Sequence, residues 1–453
     1  MENIEIKNFG PIKHVKLDLK DINVFIGATA SGKSTVAKLV AIARNFSVVT
    51  EIDFNLFKES IAKYNIDFEV TAKTYIKYCN GKFYWELKNK GIENNESNWI
   101  LSTMMTVSEQ VLRLINHYKF PSDESGLRMQ KQIQTMLVAM GLLSGAAITK
   151  AEYGRTGQEL PEQTRKLLLI VEEYEARLNV ENGKDEANLS VIKELVSDHR
   201  LLQLAPLVGT DTSLNQTSYI PAERNLLSMV GESVFGLLSN NVSIAAAVKG
   251  FGSEFETARK QLKQLAIDFL DAEYKYTDSA NVLTLENGTE IKLEQASSGF
   301  QSVVPLLLVV EAKTKEVSVF TKYFIIEEPE LNLYPTVQKE LLEFVVERIN
   351  KYQDKLIITT HSPYILTALD NLIQADNVVK QNLAAKEEVE KLVPSKRWVD
   401  FERVACYYFE NGTCRSTLDE EQRSIGPSDI DDVSETIGSI YDQLLAMKYD
   451  QVL

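Results

Sequence analysis

Residues 22–35 read INVFIGATASGKST, an apolar run that closes on Gly-x4-Gly-Lys-Ser. No other stretch limits the fold as strongly. Six residues from Ile22 to Gly27 have the length and apolar character of a buried strand. The residues that follow, VAKLVAIARNF, carry apolar positions at helical spacing. A strand, a glycine-bearing turn and a helix in that order form a phosphate cradle. The turn formed by Gly27, Ala28, Thr29, Ala30, Ser31 and Gly32 points backbone N–H groups inward, and the helix beginning at Lys33, Ser34 and Thr35 adds its partial positive charge. Lys33 is placed to reach the β and γ phosphates, and the Ser34 hydroxyl to bind Mg²⁺. The chain therefore belongs to the α/β class and binds a nucleoside triphosphate, with ATP as the default.

Two later strands fit the same chemistry. YFIIEEPELNLYP, residues 323–335, predicts a buried strand with Glu327 and Glu328 at its carboxyl end, where ligands bind in open α/β sheets. One acid there holds the metal and the next, Glu328, acts as general base on water. Pro329 ends the strand. DKLIITTHSPYIL, residues 354–366, predicts another buried strand ending in Thr359, Thr360 and His361, with His361 in a place to contact a γ-phosphate. Ahead of both, and after the P-loop, lies QASSGFQS, residues 295–302, followed directly by the apolar VVPLLLVV of a buried helix.

The order of P-loop, SSGFQ, strand-Glu-Glu-Pro-Glu and strand-Thr-His-Ser resembles an ABC-type ATPase head. The opening IEIKNFGPIK, the EEPELNLYP block and TTHSPYIL are similar to the OLD, RecF and SMC-like branch, over residues 1–45 and about 215–372. YIPAERN, residues 219–225, resembles stand-alone ATPases of prokaryotic antiphage systems of the septu, retron-linked and PARIS kinds. The resemblance implies a P-loop head with an antiparallel β layer and a helical insertion. It implies that Ser298, Gly299 and Gln301 act in trans, completing the site of a second copy in a head-to-tail dimer. It implies metal binding by Ser34 and Glu327. Catalysis would fall to Lys33, Glu328 and His361. The sequence departs from the family pattern at Ser297 and Phe300 in the signature, at Glu327 in place of an aspartate, and at Tyr334 in place of a histidine. Arg224 is carried as a further candidate, contacting phosphate or paired with Glu223.

The expected organisation is a head part over 1–95, a helical insertion over 96–210 serving as lid or dimer arm, and a second head part over 211–453. Hairpins are predicted in 66–88 at Asn80-Gly81, in 282–293 at Asn287-Gly288 and in 404–416 at Asn411-Gly412. Asp429, Asp431 and Asp432 mimic a D-x-D metal pair, but the segment reads as an acid-rich helix start, so no nuclease is expected in this chain. Residues 1–20 lack the apolar core of a signal peptide and no run is long enough to span a bilayer, so a cytoplasmic protein without a membrane partner is expected. A net charge of −15 argues against a surface that grips nucleic acid throughout, while leaving room for a local basic groove. The sum is an ATPase that dimerises on ATP, or forms a higher homo-oligomer, and gates a separate nuclease or toxin in antiphage defence. A DNA-repair or chromosome-maintenance ATPase of the RecF/SMC kind and a non-hydrolysing ATP-clamped scaffold are the rival readings.

Overall fold

The computed structural model describes residues 2–46, 52–80, 83–94, 217–230, 244–277, 280–315, 321–426 and 429–450. The expected helical insertion lies outside these residues. Eleven of the described strands form one sheet, built around β3 (Ile22–Gly27). All six residues of β3 are buried, which is why the run is apolar without alternation.

Before β3 come β1 (Glu2–Phe9) and β2 (Ile12–Leu19), and after it the hairpin of β4 (Tyr75–Asn80) with β5 (Phe83–Lys88), followed by β6 (Gly91–Asn94). β7 (Thr217–Ile220) ends at Pro221. Next, β8 (Gln264–Ile267), β9 (Ala272–Thr277), β10 (Ala280–Leu285) and β11 (Glu290–Lys292) make a separate antiparallel sheet. β12 (Tyr323–Glu327), β13 (Lys355–Thr360), β14 (Val404–Glu410) and β15 (Thr413–Ser416) return to the large sheet. Its order is β6-β5-β4-β1-β2-β15-β14-β3-β13-β12-β7.

Five strands, β14, β3, β13, β12 and β7, run parallel. The antiparallel strands β1, β2, β4, β5 and β6 extend the same sheet, whereas β8 to β11 form the separate antiparallel sheet. The register matters for function. Glu327 pairs with Thr359, Thr359 with Phe25, and Thr360 with Ile26. The ends of three strands thus meet at one edge.

Two cores cover the two faces. Phe25, Ile325 and Ile357 point to one face, with α1 (Lys33–Phe46) and α2 (Phe54–Lys63). Val24, Ile326 and Ile358 point to the other. The helices on that side include α3 (Asn225–Val230), α4 (Ala246–Leu262), α5 (Ser298–Lys315), α6 (Pro335–Tyr352) and α7 (Pro363–Gln381). α5 is buried on every side from Gln301 to Ala312, hence its unbroken apolar run from Val303 to Val310. Farther on, α8 (Lys386–Leu392) and α9 (Asp429–Asp450) complete the described helices, the last spanning the segment read as an acid-rich helix. Among the described residues no helix is long and apolar enough to cross a membrane. Cys79, Cys406 and Cys414 are free thiols.

Opposite the functional edge, a buried ion pair and the two tyrosines on it bring together four elements, β1, α1, β12 and β4. The Arg44 guanidinium at the end of α1 donates to Glu2 Oε1 at 2.7 Å and stacks on the Tyr323 ring at 3.8 Å. The Tyr78 hydroxyl donates to the same oxygen at 2.9 Å. Burial acts to raise the Glu2 carboxyl, but the Arg44 charge and hydrogen bond outweigh it and hold the carboxyl below its ordinary range. A depressed carboxyl contributes stability that is present above its unfolded value and lost as pH falls through the folded one. Arg44→Met should cost about 3–5 kcal/mol in chemical denaturation near neutral pH, because it strands a buried carboxylate. Glu2→Gln added to Arg44→Met should recover much of that loss. Equal stabilities for the single and double variants would show that the pair is not what holds this corner.

Candidate functional site

The P-loop geometry follows from its glycines. Gly27 has φ +141°, and a Cβ there would lie 2.1 Å from the Phe409 carbonyl of β14. Only glycine lets β3 and β14 continue side by side to this point. Gly32 has φ +103° and turns the chain into α1. Ala28, Thr29 and Ala30 are exposed, while Ser31, Gly32, Lys33 and Thr35 are buried and Ser34 is half-buried. The Lys33 ammonium donates to the carbonyls of Gly27 at 2.7 Å and Ala28 at 2.8 Å. Burial brings its pKa down to about 8, against the opposing charges of Glu328 and Glu330. A partly desolvated ammonium beside carboxylates is a strong phosphate anchor.

β12 delivers the acids. Glu327 is 3% exposed, and its Oε1 has no hydrogen-bond partner. A buried carboxylate oxygen of this kind calls for a cation. With the Ser34 hydroxyl at the start of α1, the donor set is hard oxygen, which fits Mg²⁺. The Tyr219 hydroxyl of β7 lies buried near the same carboxylate, and burial first, then that charge, pushes it well up.

Glu328 adopts φ +42°, the left-handed region that non-glycine residues avoid. Its N–H donates to the Thr359 carbonyl at 2.8 Å. Its carboxylate stands 3.5 Å from His361 Nε2. The His361 contact, followed by the charges of Lys33 and Arg224, holds the Glu328 carboxyl below its ordinary range despite partial burial. At neutral pH it is a carboxylate, suited to orienting water.

Glu330 is a functional residue the sequence reading passed over. Its Oε1 accepts from the Thr360 hydroxyl at 2.8 Å and from the His361 N–H at 2.7 Å. It therefore fixes the backbone that carries His361. The signal was present in the doubled EEPE acids, but its partner lies 30 residues away.

The signature turn enters α5 at Ser298. Ser297 and Ser298 are exposed. A Cβ on Gly299 would come within 3.1 Å of the Asn332 carbonyl, so the turn lies against the loop after β12. Gln301 departs from expectation. It is buried, and its side-chain amide donates to the carbonyls of Glu294 at 2.9 Å and Ala296 at 3.0 Å. Both N–H donors close the turn before α5, so they are not offered to a second copy.

Arg224 departs too. It is 0% exposed and pairs with neither phosphate-facing space nor Glu223. Its Nε donates to the Ser302 carbonyl at 3.1 Å. Nη1 donates to Pro221 at 3.2 Å and Glu327 at 2.7 Å, and Nη2 to Glu328 at 2.8 Å and Pro329 at 3.2 Å. All five acceptors are backbone carbonyls. Pro305 explains one neighbouring contact. A proline inside a helix has no N–H for the carbonyl four residues back, here that of Gln301. The Ser228 hydroxyl of α3 donates to that carbonyl at 2.8 Å.

The family profile described as an AAA ATPase domain matches residues 1–366. No curated protein sequence matches the chain. Solved structures that resemble it include the SMC head domain from Thermotoga maritima, at 12% identity and TM-score 0.34, covering 92% of this chain and 98% of that one. The recombination mediator protein RecF-ATPrS of the RecFOR pathway aligns at 12% identity and TM-score 0.29, over 91% and 97%. An ATP-binding cassette of an ABC transporter in its ADP conformation aligns at 11% identity and TM-score 0.30, over 93% of each. With the profile spanning well over half its length, and with the P-loop, acid strand and histidine-bearing strand in that order, the chain belongs to the AAA ATPase domain family.

Proposed function

We propose that this protein hydrolyses ATP at the carboxyl edge of β3, β13 and β12, and that the ATP-bound state joins two copies head to tail to gate a separate effector. The observation that carries the hydrolysis reading is the meeting of Lys33, Glu327, Glu328 and His361 at one edge. Lys33 exchanges its carbonyl partners for the β and γ phosphates. Mg²⁺, when held by Ser34 and Glu327, offsets charge on the phosphate oxygens. Glu328 orients a water for in-line attack on the γ-phosphorus, and the bond to the β,γ-bridging oxygen breaks to give ADP and phosphate. His361, placed by Glu330, faces the transferring group. The dimer reading is supported by Ser297 and Ser298, which stand exposed at the start of a buried helix. The effector, a nuclease or toxin of an antiphage system, is supported by the resemblance of YIPAERN to stand-alone ATPases of such systems.

Glu328→Gln should lower kcat by about 100-fold or more while leaving ATP binding intact. Light scattering should then show a dimer that persists with ATP and Mg²⁺, and Ser298→Arg should abolish it. A hydrolysis rate unchanged in Glu328→Gln would remove Glu328 from the reaction. Tagged Glu328→Gln protein, isolated from its native gene context with ATP present, should carry the effector with it. A bare homodimer would end the gating proposal.

Lys33 makes a second prediction. Its ammonium form binds phosphate, and its pKa lies at about 8. Affinity for a fluorescent ATP analogue should be level below pH 8 and fall above it, approaching about tenfold per pH unit. Level affinity from pH 7 to 9.5 would mean that the Lys33 charge does not set binding.

A further inference from the structure

Glu328 has to hold a left-handed backbone at φ +42° while its carboxylate stays available for water. Such a conformation costs about 1–2 kcal/mol and persists only where surrounding contacts determine it. The Thr359 carbonyl fixes the Glu328 N–H. The carbonyls on either side of the turn need a second restraint, and Arg224 supplies it. We propose that Arg224 is a positioning residue for ATP hydrolysis, gripping the carbonyls of Glu327, Glu328 and Pro329 and tying them to the Ser302 carbonyl of α5.

This rests on the hydrolysis reading above. Three features separate the role from that of a general core staple. First, three successive carbonyls of the catalytic turn converge on one guanidinium, which sets the backbone of the base and not only its neighbourhood. Second, none of the five acceptors lies in the P-loop, so the grip bears on the base rather than on phosphate binding. Third, the anchor is built for the purpose. Pro305 interrupts the helical bonding of α5, and the segment containing Arg224 and Ser228 reaches the carbonyls of Ser302 and Gln301 at that interruption. The planar guanidinium presents five donors at fixed angles, whereas a lysine ammonium offers three from a single point and cannot span the same acceptors.

The test uses the full-length protein and separates turnover from binding. Arg224→Lys retains the charge and loses the fork. It should lower kcat by about 100-fold, since misplacement by about 1 Å is enough for that, with affinity for a fluorescent ATP analogue held within about threefold. Because Arg224 acts through Glu328, Arg224→Lys in a Glu328→Gln background should produce no further loss of rate. Pro305→Ala, which restores an ordinary helical turn without touching a buried charge, should lower kcat several-fold with affinity again held, and it decides the matter if Arg224→Lys does not fold. Losses that multiply in the Glu328→Gln background, or a parallel fall in affinity, kcat and melting temperature, would overturn the positioning role while leaving the ATPase reading in place. A wild-type protein that binds ATP and never hydrolyses it would overturn both.

Discussion

The site depends on how five charges share one partly buried edge. Glu327, Glu328 and Glu330 bring three negative charges, and Lys33 and Arg224 bring two positive ones. Neither cation is given over to any one carboxylate. Lys33 binds carbonyls of its own loop, and Arg224 binds carbonyls of the acid turn. The carboxylates stay unneutralised by contact, and Glu327 Oε1 and Glu330 Oε2 are both buried without a hydrogen-bond partner. An arrangement of this kind is costly until further charge arrives. On the proposed reading, phosphates would satisfy the lysine, and a divalent cation would satisfy the acids. The edge is therefore poised to bind the two together rather than either alone.

The sheet is what makes the sharing feasible. β3, β13 and β12 are adjacent and parallel, so their carboxyl ends present Gly27, Thr360 and Glu327 in neighbouring positions. The chain reaches each strand at very different points in sequence, and the buried Glu2–Arg44 pair secures the opposite ends of β1, α1 and β12. The two ends of the sheet thus divide the work. One holds a buried carboxylate against an arginine, Glu2 with Arg44, and the other holds the carboxylates of Glu327 and Glu328 with no arginine or lysine side chain of the described residues bonded to them.

Much of this was legible in the sequence because it is local. Strand β3, the P-loop and α1 are contiguous, and their glycines and apolar spacing are visible in a window of about 25 residues. The same holds for β12 with its acids, β13 with His361, and the hairpins at Asn287-Gly288 and Asn411-Gly412. What escaped was decided by distant backbone. Gln301 sits in a signature-like string, yet its amide is consumed by Glu294 and Ala296. Glu330 reads as a surplus acid until Thr360 and His361 fold against it. Arg224 reads as a phosphate or Glu223 partner because carbonyl acceptors leave no trace in side-chain sequence. Pro305 looks misplaced in VVPLLLVV until Ser228 takes the carbonyl it frees.

That Arg224 binds carbonyls and not carboxylates has a chemical consequence. A buried arginine is ordinarily matched by an acid, and burial without such a match brings its pKa down to about 10, still cationic at neutral pH. Had it formed a bidentate pair with Glu327 or Glu328, that pair would have been stronger, and the acid would have been lost to metal or water. Carbonyl acceptors let one residue determine where the acids stand without occupying them. The charge still acts through space, helping to hold the Glu328 carboxyl ionised. At the acid turn the scaffold therefore draws on the carbonyl oxygens of Glu327 and Glu328, which Arg224 binds, and leaves their carboxylate oxygens out of that grip.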